Sequence, residues 1–330
     1  MNKQNFKQKL RSSLRWLGWV LLVQFILINI SAALYAHKYS HFYNDPSVGT
    51  DFSKENVFQK TWRLFTGPKF PKSAIYEKPS FPFETINLTT KNGTKIEAWY
   101  GKADSVAAGT VILFHGLSQN KAAKLSEAYE FRYQGYNVMM VDFRSHGNSE
   151  GNKTTIGFRE SEEVKLAYDY VVKNGDDHIF LWGTSMGAVA IAKAVADYDL
   201  KPAGMILEMP FASLQSHIRA RVRSNGFSGF PEKPFAFLVT CWTGIERGYN
   251  SFKFKTDKYA AKTNCPVLMQ CGARDNTVAD SLMPTNKVFN AIASKNKKLV
   301  IYENADHESF LQNDPIKWRN EVESFLANNK

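Results

Sequence analysis

The stretch His178–Ala190, HIFLWGTSMGAVA, constrains the chain more than any other. Ile179 to Trp182 are apolar, β-branched or aromatic, the pattern of a short buried strand. From Met186 onward the residues are small and apolar, which reads as a buried helix. Between them stands Gly183-Thr184-Ser185-Met186-Gly187, the pattern G-x-S-x-G. A strand that turns directly into a helix strains the backbone at the middle residue and lifts its side chain above the sheet edge. A Cβ at either flanking position would collide where strand and helix approach, so both are glycine. Ser185 also opens a helix, where free N–H groups favour negative charge. It is a candidate nucleophile, provided the rest of an acyl-transfer site follows in the right order. A glycine-rich turn that merely carries a serine has the same pattern.

The strand–helix rhythm runs on both sides of this stretch. After a hairpin marked by Asn92-Gly93, with strands over Glu84–Thr90 and Lys95–Tyr100, strands are expected at Thr110–Phe114, Asn137–Val141, Ile179–Trp182, Met205–Leu207, Pro266–Cys271 and Leu299–Tyr302. Helices are expected at Ala122–Gln134, Arg159–Lys173, Met186–Asp197, Ser281–Ala293 and Ile316–Ala327. Such alternation gives an α/β fold: a mostly parallel central sheet with helices on both faces and any site at the C-terminal strand ends. One region breaks the rhythm. Residues 210–263 fall between two core strands and hold Phe211, Phe227, Phe230, Phe235, Phe237, Trp242 and Phe252. They read as a small cap whose aromatics line an apolar channel over the site.

The N-terminus is different in kind. Residues 1–13 form a basic arm with Lys3, Lys7, Lys9 and Arg11 and no acid. Residues 14–36, LRWLGWVLLVQFILINISAALYA, carry no charge past Arg15 over about twenty residues, enough to cross a bilayer. Trp16, Trp19 and Tyr35 sit where interfacial aromatics belong. The expectation is a single-pass anchor with its basic end in the cytoplasm and the catalytic domain outside it. The alternatives are a signal peptide cleaved near Ser31-Ala32-Ala33, which would release a secreted protein, and a buried core helix. Residues 37–80, broken by prolines, read as a spacer with a short helix around 53–65, and residues 81–330 as the main domain.

Composition excludes several classes. The net charge of +11 is crowded at the N-terminus and otherwise scattered, with no basic stripe interleaved with aromatics, so nucleic acid is not an expected partner. Cys241, Cys265 and Cys271 lack metal-ligand spacing, and the last two flank one strand too far apart to pair. No metal or cofactor is implied.

Each strand end supplies what acyl transfer needs. The base for Ser185 is His307, after the last strand. His217, among arginines, reads as surface, and His178 as structural. The carboxylate that orients the base is Asp275, after the Pro266–Cys271 strand, with Asp280 and Asp306 as competitors. Asp280 reads as a helix cap, and Asp306 is too close to His307 to turn onto its ring. The oxyanion donors are the N–H groups of Met186 and Leu117, with His115 as a buttress of the loop that carries Leu117.

These residues lie in LFHG (Leu113–Gly116), DFRSHGNSEG (Asp142–Gly151), GTSMG (Gly183–Gly187), GARDNTV (Gly272–Val278) and His307. With them the chain resembles an α/β-hydrolase, of the branch holding serine aminopeptidase-like hydrolases and membrane-anchored abhydrolase-domain proteins. The resemblance spans roughly residues 83–330. Ser145 stands where that family's D-x-R-G-x-G pattern has glycine. The resemblance implies the α/β-hydrolase fold and a Ser185–His307–Asp275 triad cleaving an ester, thioester or amide. An apolar acyl small molecule is the favoured substrate, and a peptide is the alternative. The contrasting class is a non-catalytic, membrane-anchored binding protein.

Overall fold

A computed structural model of the chain describes residues 3–45, 48, 55–224, 232–275 and 283–330. Phe227, Phe230 and Asp280, singled out above, lie outside the described residues.

The basic arm and the apolar stretch form one helix, α1 (Lys3–Tyr39), which is about 55 Å long at the α-helical rise. Its middle projects from the body. Trp16, Trp19 and Phe25 are more than 60% exposed, and the apolar side chains at 21–23 and 26–27 are exposed on every side. Water gives such a surface no reason to fold, and a bilayer does. The last turns are the opposite: Ser31, Ala32, Tyr35, Ala36 and Tyr39 are buried in the body. After the two-residue strand β1 (Phe42–Tyr43) comes α2 (Val57–Thr66), started by a capping box of Asn56 and Gln59. The strand β2 (Phe70–Pro71) then pairs with β1. The Ser31 hydroxyl donates to the Phe65 carbonyl, tying α2 to α1.

The main sheet contains β3 (Glu84–Thr89), β4 (Lys95–Gly101), β5 (Thr110–Phe114), β6 (Asn137–Val141), β7 (Ile179–Thr184), β8 (Gly204–Glu208), β9 (Val267–Gly272) and β10 (Lys297–Tyr302). Their spatial order is β10-β9-β8-β7-β5-β6-β4-β3. β4 is antiparallel to both of its neighbours, and the remaining pairs are parallel. Chain order reverses between β5 and β7, and the crevice beyond the C-terminal ends of those two strands is where a ligand fits such a sheet. β5, β7, β8 and β9 are buried at every residue, hence their largely apolar runs, with Glu208 and Gln270 as buried polar exceptions.

Alternation along the strands feeds two cores. On one face Ile112, Leu181 and Met269 pack with residues such as Val164 of α4 (Ser161–Lys173) and Ile191 of α5 (Met186–Tyr198). On the other, Leu113, Trp182 and Leu268 meet Phe131 of the helix Leu125–Tyr133, here α3, and Trp318 of the C-terminal helix Pro315–Ala327.

The stretch between β8 and β9 is helical: α6 (Leu214–Val222), α7 (Glu232–Arg247) and the short α8 (Thr256–Ala260). A third apolar cluster joins it to α1, with Phe211, Leu214, Ile218, Phe235 and Val239 closing on Tyr35, Ala36 and Tyr39. The cap is therefore built around the end of the N-terminal helix. Cys241, Cys265 and Cys271 are all free thiols.

Candidate active site

Ser185 sits between β7 and α5 with φ 50° and ψ −110°, a left-handed backbone that a non-glycine residue adopts only where its surroundings compel it. Its N–H donates to the Glu208 carbonyl at 2.8 Å, and its carbonyl accepts from Val189 N–H. Both flanking glycines are required sterically. A Cβ on Gly187 would stand 2.4 Å from the Phe114 carbonyl oxygen, and one on Gly183 would stand 2.7 Å from Ile191 and 2.8 Å from the Gly187 backbone. The first turn of α5 thus rests on the end of β5. That contact sets Met186 beside the loop His115–Ser118, where a Cβ on Gly116 would lie 3.7 Å from the Ser185 Cβ.

The loop is braced from beneath by two histidines. His115 Nε2 accepts from Phe143 N–H at 3.1 Å, and its Nδ1 lies 2.7 Å from the Gly116 carbonyl. His146 Nε2 accepts from Ser118 N–H at 3.2 Å while its Nδ1 faces the Arg144 carbonyl. Each ring accepts with one nitrogen and donates with the other, so both are neutral. Burial depresses their basicity, that of His115 well below the ordinary histidine value and that of His146 to about 4.

His307 follows β10 and approaches from the opposite wall. Its Nδ1 is 2.8 Å from Oδ2 of Asp275, which follows β9 and is nearly inaccessible to solvent. Gly272 lets these loops close, since a Cβ there would meet the Ala305 carbonyl at 2.4 Å. Asp306 accepts from the His307 backbone N–H at 2.8 Å. Ser185, His307 and Leu117 line one cavity of about 310 Å³, together with Gly116 and Thr184. Asp280 falls outside the described residues and is not placed against Asp275.

Two expectations need correction. His217 is not on the surface. It is buried in α6, stacked on Phe211 at 4.5 Å, with Nε2 2.7 Å from the Tyr39 hydroxyl, and its basicity is depressed by burial first and by Arg221 next. The cause is α1, whose last turn covers it. The described cap aromatics also do not roof the cavity. Phe235 meets Tyr35 edge-on at 5.9 Å, the Trp242 indole reaches Asn29 at 3.4 Å, and Phe237 pairs with Phe252 at 4.9 Å while half exposed. Phe235 and Trp242 thus pack toward α1. Phe235 also borders a separate apolar groove of about 730 Å³, walled by Leu21, Phe25 and Ile28 of α1 and by Leu64 and Phe65 of α2.

Sequence reasoning passed over Lys124, Arg221 and Glu208. Lys124 and Arg221 both line the cavity of Ser185. Glu208 lies beneath it, its Oε1 accepting from the indoles of Trp318 at 2.7 Å and Trp182 at 3.3 Å. Burial pushes its carboxyl up to about 8. Helix periodicity marks Arg221, because Arg219 and Arg223 share a face and Arg221 lies opposite them. Nothing local distinguishes Lys124 from Lys121.

Among known proteins, residues 105–231 match the family described as serine aminopeptidase, S33. The uncharacterized protein YqkD of Bacillus subtilis is 27% identical over 257 residues, covering 74% of this chain and 82% of its own. The lysophosphatidylserine lipase ABHD12 of Danio rerio is 24% identical over 186 residues, which cover 54% of this chain and 46% of that protein, so the chain spans about half of it. Among solved structures, the Pyrococcus furiosus esterase Pf2001 superposes with a TM-score of 0.66 at 23% identity, over 78% of this chain and 97% of that one.

Proposed function

We propose that the chain is a member of the α/β-hydrolase superfamily, as the matching family, the lipase relative and the esterase fold support, and that within it the protein is a serine hydrolase that cleaves an acyl bond by way of an acyl-enzyme. Ser185 Oγ attacks the carbonyl carbon while His307 takes its proton. Asp275 holds the His307 tautomer and stabilises the imidazolium. The N–H groups of Leu117 and Met186 receive the developing oxyanion. His307 then protonates the leaving group, and water, deprotonated by the same ring, releases the acyl group. The observation that carries this reading is the strained Ser185 sharing a cavity with a histidine whose far nitrogen is held by a buried carboxylate at 2.8 Å.

The substrate we assign is an apolar acyl ester met at a membrane surface. Three features support it. The apolar α1 is exposed along its middle, α2 presents Val57, Phe58 and Trp62 to solvent beside it, and the apolar groove opens between the two. The lipase and esterase kin favour an ester, whereas the aminopeptidase description of the matching family favours a peptide. Residues 14–36 would be the single membrane span, with the arm 1–13 cytoplasmic, and the domain would lie on the far side, its cap at 210–263 resting on the anchor. Specificity constants across aryl esters of rising chain length, monoacylglycerols and aminoacyl arylamides decide between the readings. Preference for the acyl esters supports the assignment. Preference for the arylamides would move the protein to the peptidases, and no turnover of any class would leave a binding protein.

A further inference from the structure

The cavity of Ser185 carries two cations, drawn from separate elements. Lys124 ends the short 3₁₀ turn Lys121–Lys124 just after the loop of Leu117. It is 4% exposed yet makes no hydrogen bond or ion pair with any described residue, and its ammonium stands 5.4 Å from the Trp182 ring. Lys121, one turn earlier, shows what this protein does with a structural lysine. It is fully buried and paired with both Asp142 and Glu97. A buried ammonium normally has such a partner, because leaving water costs too much otherwise. The acids near Lys124 do not provide one. Glu127 accepts from the Ser309 hydroxyl at 3.1 Å, and Glu208 Oε1 accepts from the indoles of Trp318 and Trp182 rather than from the ammonium.

Arg221 reaches the cavity from the cap. Arg219 and Arg223 both pair with Glu232, and Arg221 lies about 200° around α6 from Arg219. Its Nε is buried with no hydrogen-bond partner among the described residues, while the rest of the guanidinium lies by the Tyr39 hydroxyl. Glu308, the acid in the lining, is occupied at the rim by Asn313 at 2.9 Å and by the Asp306 N–H at 3.3 Å.

We propose that Lys124 and Arg221 form a subsite for an anionic group, phosphate or carboxylate, on the substrate that Ser185 attacks. This deepens the acyl-transfer reading and rests on it. A guanidinium fork fits either anion in the plane of two oxygens, and an ammonium adds a point charge from the other wall. The substrate is then an amphiphile: an apolar acyl chain and, within a cavity of about 310 Å³, an anion close to the scissile bond.

Matched esters test this on the full chain in detergent. One pair is monolauroylglycerol and its phosphate monoester, and the other is p-nitrophenyl butyrate and p-nitrophenyl hemisuccinate. The wild type should prefer the anionic member of at least one pair, and the pair that responds separates phosphate from carboxylate. Arg221→Gln and Lys124→Gln should each lower the anionic-to-neutral ratio of kcat/KM by about tenfold to a hundredfold, the range for a hydrogen bond to a charged group. Arg221→Lys should recover part of it, and salt should narrow the preference. Equal ratios in the wild type for both pairs would overturn the proposal, as would ratios unmoved in the variants. A variant that slows both members alike would show a prop for the fold and remove that residue from the subsite. Should no ester be cleaved, the acyl-transfer reading fails separately. Binding of hexyl phosphate and hexanoate to Ser185→Ala, with and without Arg221→Gln, then reads the subsite alone. Equal affinity in the two chains would overturn it.

Discussion

At the scale of single residues, the site depends on groups whose chemistry and position can be varied separately. Ser185→Ala removes one hydroxyl from a position already fixed by Gly183 and Gly187. Turnover should fall by about three orders of magnitude or more while the melting temperature stays put. Asp275→Asn keeps the shape but offers His307 an amide, which favours the wrong tautomer. A loss of about ten-thousandfold in kcat is expected from the serine-protease precedent, with unfolding measured alongside to exclude collapse. The buried titratable groups set a pH profile for stability. His115, His146 and His217 have folded values below the ordinary one, so in acid the unfolded chain binds protons that the folded chain does not. Their contribution is lost as pH falls below about 6.5. Glu208 is shifted the other way, to about 8, so its contribution is lost as pH rises toward that value. Melting temperature should pass through a maximum near pH 6.5, roughly the ordinary histidine value, and Glu208→Gln should flatten the alkaline side. A melting temperature unchanged between acid and neutral pH would refute neutral burial of the histidines. That Ser185 and His307 meet at one cavity, with Asp275 on the ring, was legible because each follows a core strand and strand ends can be read from apolar runs. Lys124 and Glu208 were not, because what sets them apart is the company they keep in three dimensions.

At the scale of elements, the parallel strands were read nearly to the residue, since burial on both faces leaves unbroken apolar runs bounded by polar loops. β5 and β6 begin and end where expected, at Thr110–Phe114 and Asn137–Val141. The helices between β8 and β9 fall where the strand–helix rhythm breaks, but their described aromatics line no channel over Ser185. A count of aromatics cannot say which neighbour they cover, and the neighbour is α1, nearly two hundred residues away in sequence. The last turns of α1 therefore behave as part of the domain. Tyr35 and Tyr39 are almost fully buried, and Ser40 accepts from Arg247 Nε at 2.8 Å. Burying such side chains contributes about 1.5–3 kcal/mol each. A chain beginning after Ser40 should melt roughly 10 °C or more below one beginning at Asn29, given about 2–4 °C per kcal/mol for a domain of this size. Equal melting temperatures would reduce α1 to a tether.

At the scale of the whole molecule, one helix has two kinds of surface. Its middle is apolar on all sides and projects from the domain, while its end is the floor of the cap that brings Arg221 to the cavity. If residues 14–36 span the bilayer with the basic arm inside, protease added to cells with a permeabilised outer barrier should digest the chain beyond Tyr39 and spare an N-terminal tag. Full protection would place the domain on the cytoplasmic side. The central claim, that Ser185 is a nucleophile activated for acyl transfer, is tested most directly by treating the full-length protein with a fluorophosphonate and mapping the modified peptide. A single covalent adduct on Ser185 is expected, absent from folded Ser185→Ala and strongly slowed in His307→Ala. A folded wild-type protein that remains unmodified, or that carries the adduct elsewhere with Ser185 free, would contradict it.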